Sequence, residues 1–196
     1  MAIVIFDIMR HGEKEGDALT PKGEEQVRQS AKRNLLWCRY TRAFFSGFTR
    51  ARQTVQVCLS TLGDPGVSTI EEEPGFSYEP AMTEAEQWTG RPYSELKEEG
   101  KSKNVEWWLR NWAPTLVIRG QILATMRMRA QMLATSSRDY RVLVGGHGPA
   151  AESGCLDPTT TPSLREADII RYTWEVGLTV GTFPRLVESV VLRAPY

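Results

Sequence analysis

The sequence predicts an α/β fold with three layers, helices on both faces of a central sheet, and three observations carry that prediction. Short apolar runs rich in β-branched residues alternate along the chain with segments whose apolar residues recur at helical spacing, and such alternation stacks a sheet between helical layers. Only two histidines occur in 196 residues. Each closes a strand-like run and is followed by glycine, in Ile3-Val-Ile-Phe-Asp-Ile-Met-Arg-His11-Gly and in Val142-Leu-Val-Gly-Gly-His147-Gly. The carboxyl ends of strands are where such sheets present reactive groups to a crevice. A third segment, Phe44-Phe-Ser-Gly-Phe-Thr-Arg50-Ala-Arg-Gln-Thr54, repeats the plan with an arginine where an apolar run turns into a helix.

The elements follow in order. Residues 3–9 are β-branched and bounded by polar residues, as a buried strand requires. Leu19-Thr20-Pro21 offers a capping threonine and a proline at the first helical position, and the helix continues through Glu24, Val27 and Ala31 toward Leu35. Residues 42–46 read as the second strand. Thr49 is expected to cap the next helix, whose apolar positions Val55, Cys58, Leu59 and Leu62 keep helical spacing until Gly63-Asp-Pro-Gly66 stops it. Residues 67–70 are expected as a short third strand.

From 71 to about 114 the alternation stops, in a stretch dense with Phe76, Tyr78, Trp88, Tyr93, Trp107, Trp108 and Trp112. Residues 116–134 form a long amphipathic helix, with Ile122, Leu123, Met126, Ala130 and Leu133 on one side and Arg119, Arg127 and Arg129 elsewhere. Residues 141–144 deliver His147, a polar loop spans 157–163, and residues 169–174, 178–180 and 187–192 are expected as late strands around a hairpin at 175–177. Residues 1–196 are read as a single domain, with the segment at about 71–114 as a crossover.

Composition narrows the partners. Lysine and arginine number 24, as do aspartate and glutamate. With no net charge, a nucleic acid is not expected as partner. The first apolar run holds Asp7 and is too short for a signal core or a membrane span. Cys38, Cys58 and Cys155 are widely spaced and odd in number, which argues for reduced thiols and a cytoplasmic setting. A homodimer stays open.

The pocket's guest follows from charge. Guanidinium groups are permanent cations that bind phosphate oxygens bidentately, and imidazole is either a nucleophile or a proton donor. If Arg10, Arg50, His11 and His147 converge from the strand ends, the natural ligand is a phosphoryl group on a small molecule. At these residues the sequence resembles the histidine phosphatase superfamily, which includes the cofactor-dependent phosphoglycerate mutases. It carries Arg10-His11-Gly12-Glu13, Leu19-Thr20-Pro21-Lys22-Gly23, Ser46-Gly47-Phe48-Thr49-Arg50-Ala51-Arg52-Gln53-Thr54 and Gly146-His147-Gly148 in that family's order. The resemblance implies a mostly parallel sheet and a crossover that passes over the pocket and varies with the substrate.

It also implies roles. His11 is the nucleophile, neutral and with its other ring nitrogen held by a backbone carbonyl. Arg10, Arg50 and His147 neutralise the phosphoryl oxygens, so neither a metal nor another cofactor is expected. A two-histidine metal site is disfavoured, since no cysteine or carboxylate stands at ligand spacing to either ring. Gly12 is read as clearing space beside the attacked phosphorus, and Gly148 as substrate-binding. Arg52 points to another side of its helix and is expected in solvent.

Two departures from the family pattern stand out. The expected glutamate after the third strand falls on Tyr78 in Glu73-Pro-Gly-Phe-Ser-Tyr-Glu79, so Glu79 is the first candidate for general acid and Glu84 the second. Glu71, Glu72 and Glu73 are expected at a solvated strand end. Where many mutase-like members have threonine and asparagine after the first motif, this chain has Lys14 and Asp17. Asp17 is expected to turn away from a phosphate, and Lys14 either replaces the lost donor or is exposed. Trp108 and Trp112 share a helix face, as core or as a wall for an apolar leaving group.

The leading reading is a metal-independent phosphomonoesterase acting through phosphohistidine. A mutase-like phosphotransferase, a phosphohistidine-protein phosphatase and a non-catalytic phospho-ligand module are the alternatives.

Overall fold

The computed structural model describes residues 1–63, 66–77, 96, 99–100, 102–179 and 181–195. Strand β1 (Ala2–Arg10) leads into a hairpin of β2 (Lys14–Glu15) and β3 (Ala18–Leu19), then helix α1 (Pro21–Asn34). Thr20 caps α1 as expected, its Oγ1 accepting from the Gly23 amide at 3.0 Å with proline at the first position. β4 (Arg42–Phe45), α2 (Thr49–Leu62) and β5 (Ile70–Glu72) follow. Gly63 ends α2 in a left-handed conformation, φ 58°, which glycine adopts without strain. Later in the chain come α3 (Val105–Asn111), α4 (Pro114–Leu133), β6 (Tyr140–Gly146), the single-turn α5 (Ala150–Ser153), β7 (Ile169–Val176) and β8 (Arg185–Leu192).

The six long strands form one sheet in the order β5-β4-β6-β1-β7-β8. β5, β4, β6 and β1 pair in parallel, while β7 and β8 are antiparallel. The sheet is therefore mostly parallel. Its two faces are covered by different helices because side chains alternate along each strand. Ala2, Val4, Phe6 and Ile8 of β1 face a core with Ile118, Ile122, Met126 and Ala130 of α4 and with Trp108 and Trp112. Met9 faces the other core, with Val27 and Ala31 of α1 and Val55, Cys58 and Leu59 of α2. Each fully buried Val, Leu, Ile, Phe or Met side chain among them contributes about 1.5–3 kcal/mol.

Four expectations about elements are corrected. Thr49 does not cap α2: the cap position is Phe48, which offers no side-chain hydrogen bond. The third strand starts at Ile70, where parallel pairing to Ala43 becomes available, three residues later than predicted. Residues 178 and 179 form no strand, and the β7–β8 connection spans 177–184, since both strands extend to meet across a register shift near Thr173 and Trp174. Glu73 is buried rather than solvated, ion-paired to Arg129 of α4. Among the described residues, no helix is long and apolar enough to cross a membrane.

Candidate active site

The sheet register brings the site together. Arg10 of β1 pairs with Gly146 of β6, and Phe45 of β4 pairs with Gly145. The next residues, His11, His147 and Ser46, leave the sheet at the same edge from three adjacent parallel strands. The imidazoles meet edge to face with centroids 5.2 Å apart, and the Phe48 ring stands edge-on to His147 at 4.6 Å.

His11 is held in one useful tautomer. Its Nδ1 lies 2.7 Å from the Gly12 carbonyl oxygen, which can only accept, so Nδ1 carries the proton and Nε2 keeps a lone pair. Burial lowers the ring's pKa to about 4, and Arg10, Arg50 and Lys14 add to that against the Gly12 bond. A neutral ring that keeps the Nε2 lone pair is in the protonation state that nucleophilic attack requires. Gly12 has a structural reason beyond access: a Cβ there would stand 2.2 Å from the Gly23 carbonyl oxygen. The space is filled by the start of α1, not held open for a ligand as expected, and this links the Arg-His-Gly and Leu-Thr-Pro-Lys-Gly motifs.

His147 is almost fully buried, with Nε2 2.7 Å from the Ser46 hydroxyl. Burial pushes its pKa well below the ordinary value, and the neighbouring His11, Arg50 and Arg10 act in the same direction. The expectation that His147 supplies positive charge is corrected for the resting site. With its pKa lowered, the ring is neutral at physiological pH and hydrogen-bonds Ser46.

The positive charge rests on the two arginines. Arg50, in the first turn of α2, is buried with its guanidinium 4.2 Å above the Phe48 ring. A cation at a helix N-terminus opposes the helix dipole, and here it is offset by Asp17. Asp17 Oδ1 accepts from Arg50 Nη1, and Oδ2 accepts from the Thr49 amide at 3.0 Å. Asp17 is thus turned toward the site, contrary to expectation, because the β2–β3 hairpin folds back over α2. Arg10 Nη1 donates to the Leu164 carbonyl, and Nη2 lies 3.6 Å from Glu166. Lys14 is exposed and donates to Gly16 O at 3.1 Å, yet its charge lowers the pKa of both histidines.

The sequence matches the histidine phosphatase superfamily (branch 1) over residues 7–163, a span containing both histidines and both arginines. The chain belongs to that superfamily. A search of the curated proteins found no match. Among solved structures, a phosphoglycerate mutase from Bacillus anthracis superposes with a TM-score of 0.61 at 13% identity, covering 95% of this chain and 92% of its own. YhfR of Bacillus stearothermophilus gives 0.56 at 14%, covering 94% and 96%. A mycobacterial glucosyl-3-phosphoglycerate phosphatase gives 0.55 at 13%, covering 94% and 97%. At these identities the likeness is one of fold, and the superfamily's three-layer architecture agrees with the sheet and helices above.

Of the residues singled out from the sequence, His11, His147, Arg10, Arg50, Gly12 and Gly148 meet at the strand ends. Gly148 lies between Arg10 and Glu152, and a Cβ there would be 3.3 Å from Arg10 Nη1 and 3.2 Å from Glu152 Oε1. Tyr78, Glu79 and Glu84 lie outside the described residues. Trp112 is core, whereas Trp108 both packs in the core and lines a cleft of about 370 Å³ beside Arg10, Gly148 and Glu152. Sequence reading passed over Glu152. It is fully buried, Oε1 accepts from the Leu164 amide at 3.1 Å, and burial raises its pKa to about 7. Its only sequence signal is an acid five positions after His147 among small residues, in Pro149-Ala-Ala-Glu152-Ser-Gly. Among the described residues, no three His, Cys, Asp or Glu side chains are grouped to hold a metal ion.

Proposed function

We propose that the protein is a metal-independent phosphomonoesterase that hydrolyses a small phosphorylated molecule through a phosphohistidine on His11. The observation that carries this reading is the Gly12 carbonyl bond at 2.7 Å, which fixes the proton on Nδ1 and leaves Nε2 as the attacking atom. Nε2 forms a bond to phosphorus while the ester P–O bond breaks, and the leaving oxygen takes a proton from an acid, with Glu79 as first candidate and Glu84 as second. Water then attacks phosphorus as the N–P bond breaks, giving its proton to the carboxylate left by that acid, so that phosphate is released and the neutral ring returns. Arg10 and Arg50 supply permanent charge for the equatorial oxygens. His147, neutral at rest, gains a proton readily once a dianion offsets the surrounding cations. Trp108 in the cleft beside Arg10 supports a leaving group with an apolar surface.

The test is His11→Ala with a panel of phosphomonoesters in excess chelator. Turnover is expected to fall by a factor of about 10⁴ or more, with the fold retained. Rapid quench of the unmodified protein should trap an acid-labile phosphoenzyme. An acid-stable adduct, or full activity in the variant, overturns the assignment, and loss of activity on chelation overturns its metal independence.

A further inference from the structure

We propose that Asp17 is a displaceable counter-ion of the phosphoryl pocket, a specificity-determining residue whose carboxylate competes with phosphoryl oxygens for Arg50 and so sets how tightly the site holds an oxyanion. The inference rests on the phosphoryl-binding reading of that pocket.

Three features of the pair point this way. Carboxylate and phosphate present similar oxygens to a guanidinium fork, so the Nη1 hydrogen that Asp17 takes is lost to a ligand unless the acid withdraws. The two partners also differ in freedom. The Arg50 side chain is 8% exposed and lies against the Phe48 ring, whereas the Asp17 side chain is 50% exposed at the tip of the hairpin between Glu15 and Ala18. Rotation of the Asp17 side chain carries the carboxylate into water while the arginine stays on the Phe48 ring, which itself stands against His147. Third, the other motif arginine repeats the arrangement more loosely, with Glu166, 48% exposed, 3.6 Å from Arg10. Each permanent cation of the resting pocket therefore has a half-exposed acid beside it. An anion enters by exchange, not by addition to an open positive site.

Exchange has a consequence for specificity. A ligand must offer Arg50 more than one carboxylate does, which a phosphoryl dianion achieves and a single carboxylate does not. Product phosphate is also released more readily, because Asp17 returns to the arginine as the ion departs.

Asp17 has a second bond, and the test must separate the two. Its Oδ2 accepts from the Thr49 amide, serving a helix whose cap residue, Phe48, has no acceptor of its own. An asparagine oxygen can keep that bond while removing the charge, so Asp17→Asn isolates the counter-ion role, and Asp17→Ser provides a second uncharged acceptor. Binding of inorganic phosphate and of orthovanadate is measured by titration calorimetry on the intact protein and both variants. KM and kcat for p-nitrophenyl phosphate are measured beside them. Both variants are expected to bind the oxyanions roughly tenfold more tightly, with KM falling in parallel and kcat changing less.

Unchanged or weaker oxyanion binding in the variants overturns the proposal and makes Asp17 a positioning residue for Arg50. Calorimetry keeps this outcome apart from the fate of the hydrolase reading. Tighter binding without turnover of any phosphomonoester in any form supports the counter-ion and sinks the hydrolase. Normal turnover with unchanged affinity does the reverse, and oxyanion binding to none of the proteins sinks both.

Discussion

Asp7 and Asp17 both bind arginine, and comparing them separates a strut from a switchable contact. Asp7 lies in the middle of β1 with no exposed side-chain surface. It accepts from Arg171 Nε at 2.7 Å and Nη2 at 3.3 Å and from the Tyr40 hydroxyl at 2.9 Å, with Arg141 3.7 Å away. Arg171 and Arg141 come from β7 and β6 on either side of β1 and Tyr40 from the segment before β4, so the carboxylate ties the centre of the sheet together below the edge that carries the histidines. Asp17 makes the same chemical pair at a hairpin tip, with half its side chain in water. The lesson is that burial of the acid, rather than the identity of the pair, decides whether it can let go. A carboxylate with no access to solvent has nowhere to place its charge, whereas one that can rehydrate exchanges its partner at small cost.

The comparison is broken most severely at Asp7. Asp7→Asn leaves Arg171 without its anion in the sheet and is expected to cost about 3–5 kcal/mol in urea unfolding. A loss under about 1 kcal/mol shows instead that Arg171 finds water and that Asp7 is no strut.

Next in size is Glu152, a buried acid near Arg10 that lacks the close ion pair of the other two. Its pKa is raised from 4.5 to about 7 by burial, so the folded state holds a proton that the unfolded state has released. Its contribution to stability is therefore complete below pH 4.5 and is lost as pH rises to about 7. Glu152→Gln removes this dependence while keeping an acceptor for the Leu164 amide. At about 1.4 kcal/mol per pH unit across that window, the variant should gain about 3 kcal/mol over the parent between pH 4.5 and pH 8, as an order of magnitude. Parallel stability profiles for the two proteins count against it.

The smallest effect belongs to Asp17. Asp17→Asn keeps the Thr49 bond and is expected to change unfolding stability by no more than about 0.5 kcal/mol, while Asp17→Ala, which loses the bond as well, costs about 1 kcal/mol. A loss at Asp17→Asn as large as at Asp7→Asn would erase the distinction between them.

The floor of the site is legible in the sequence because its residues are local to strand ends. Arg10-His11-Gly12 and Gly146-His147 each follow an apolar β-branched run, and Thr20-Pro21 announces α1 by its own capping chemistry. Where prediction failed, partners came from far along the chain. Glu73 reads as solvated beside Glu71 and Glu72 until α4 brings Arg129 against it, 56 residues later. Asp17 reads as an acid to be kept from phosphate, and its pairing depends on a hairpin of two-residue strands too short to show a period. Glu152 gives no periodic or motif signal, since its meaning comes from burial beside Arg10 and Leu164.

By itself, then, the sequence determined the alternation of strands and helices, the family, and the side chains at the carboxyl ends of β1, β4 and β6, because propensity, capping and motif spacing act within a few residues. Tertiary structure alone decided the charge states and pairings at that edge. His11 and His147 are neutral because burial removes water from both rings, and Arg50 is neutralised because a hairpin places Asp17 on it. Solvent access and long-range electrostatics depend on everything packed around a group, and no local stretch of sequence encodes them.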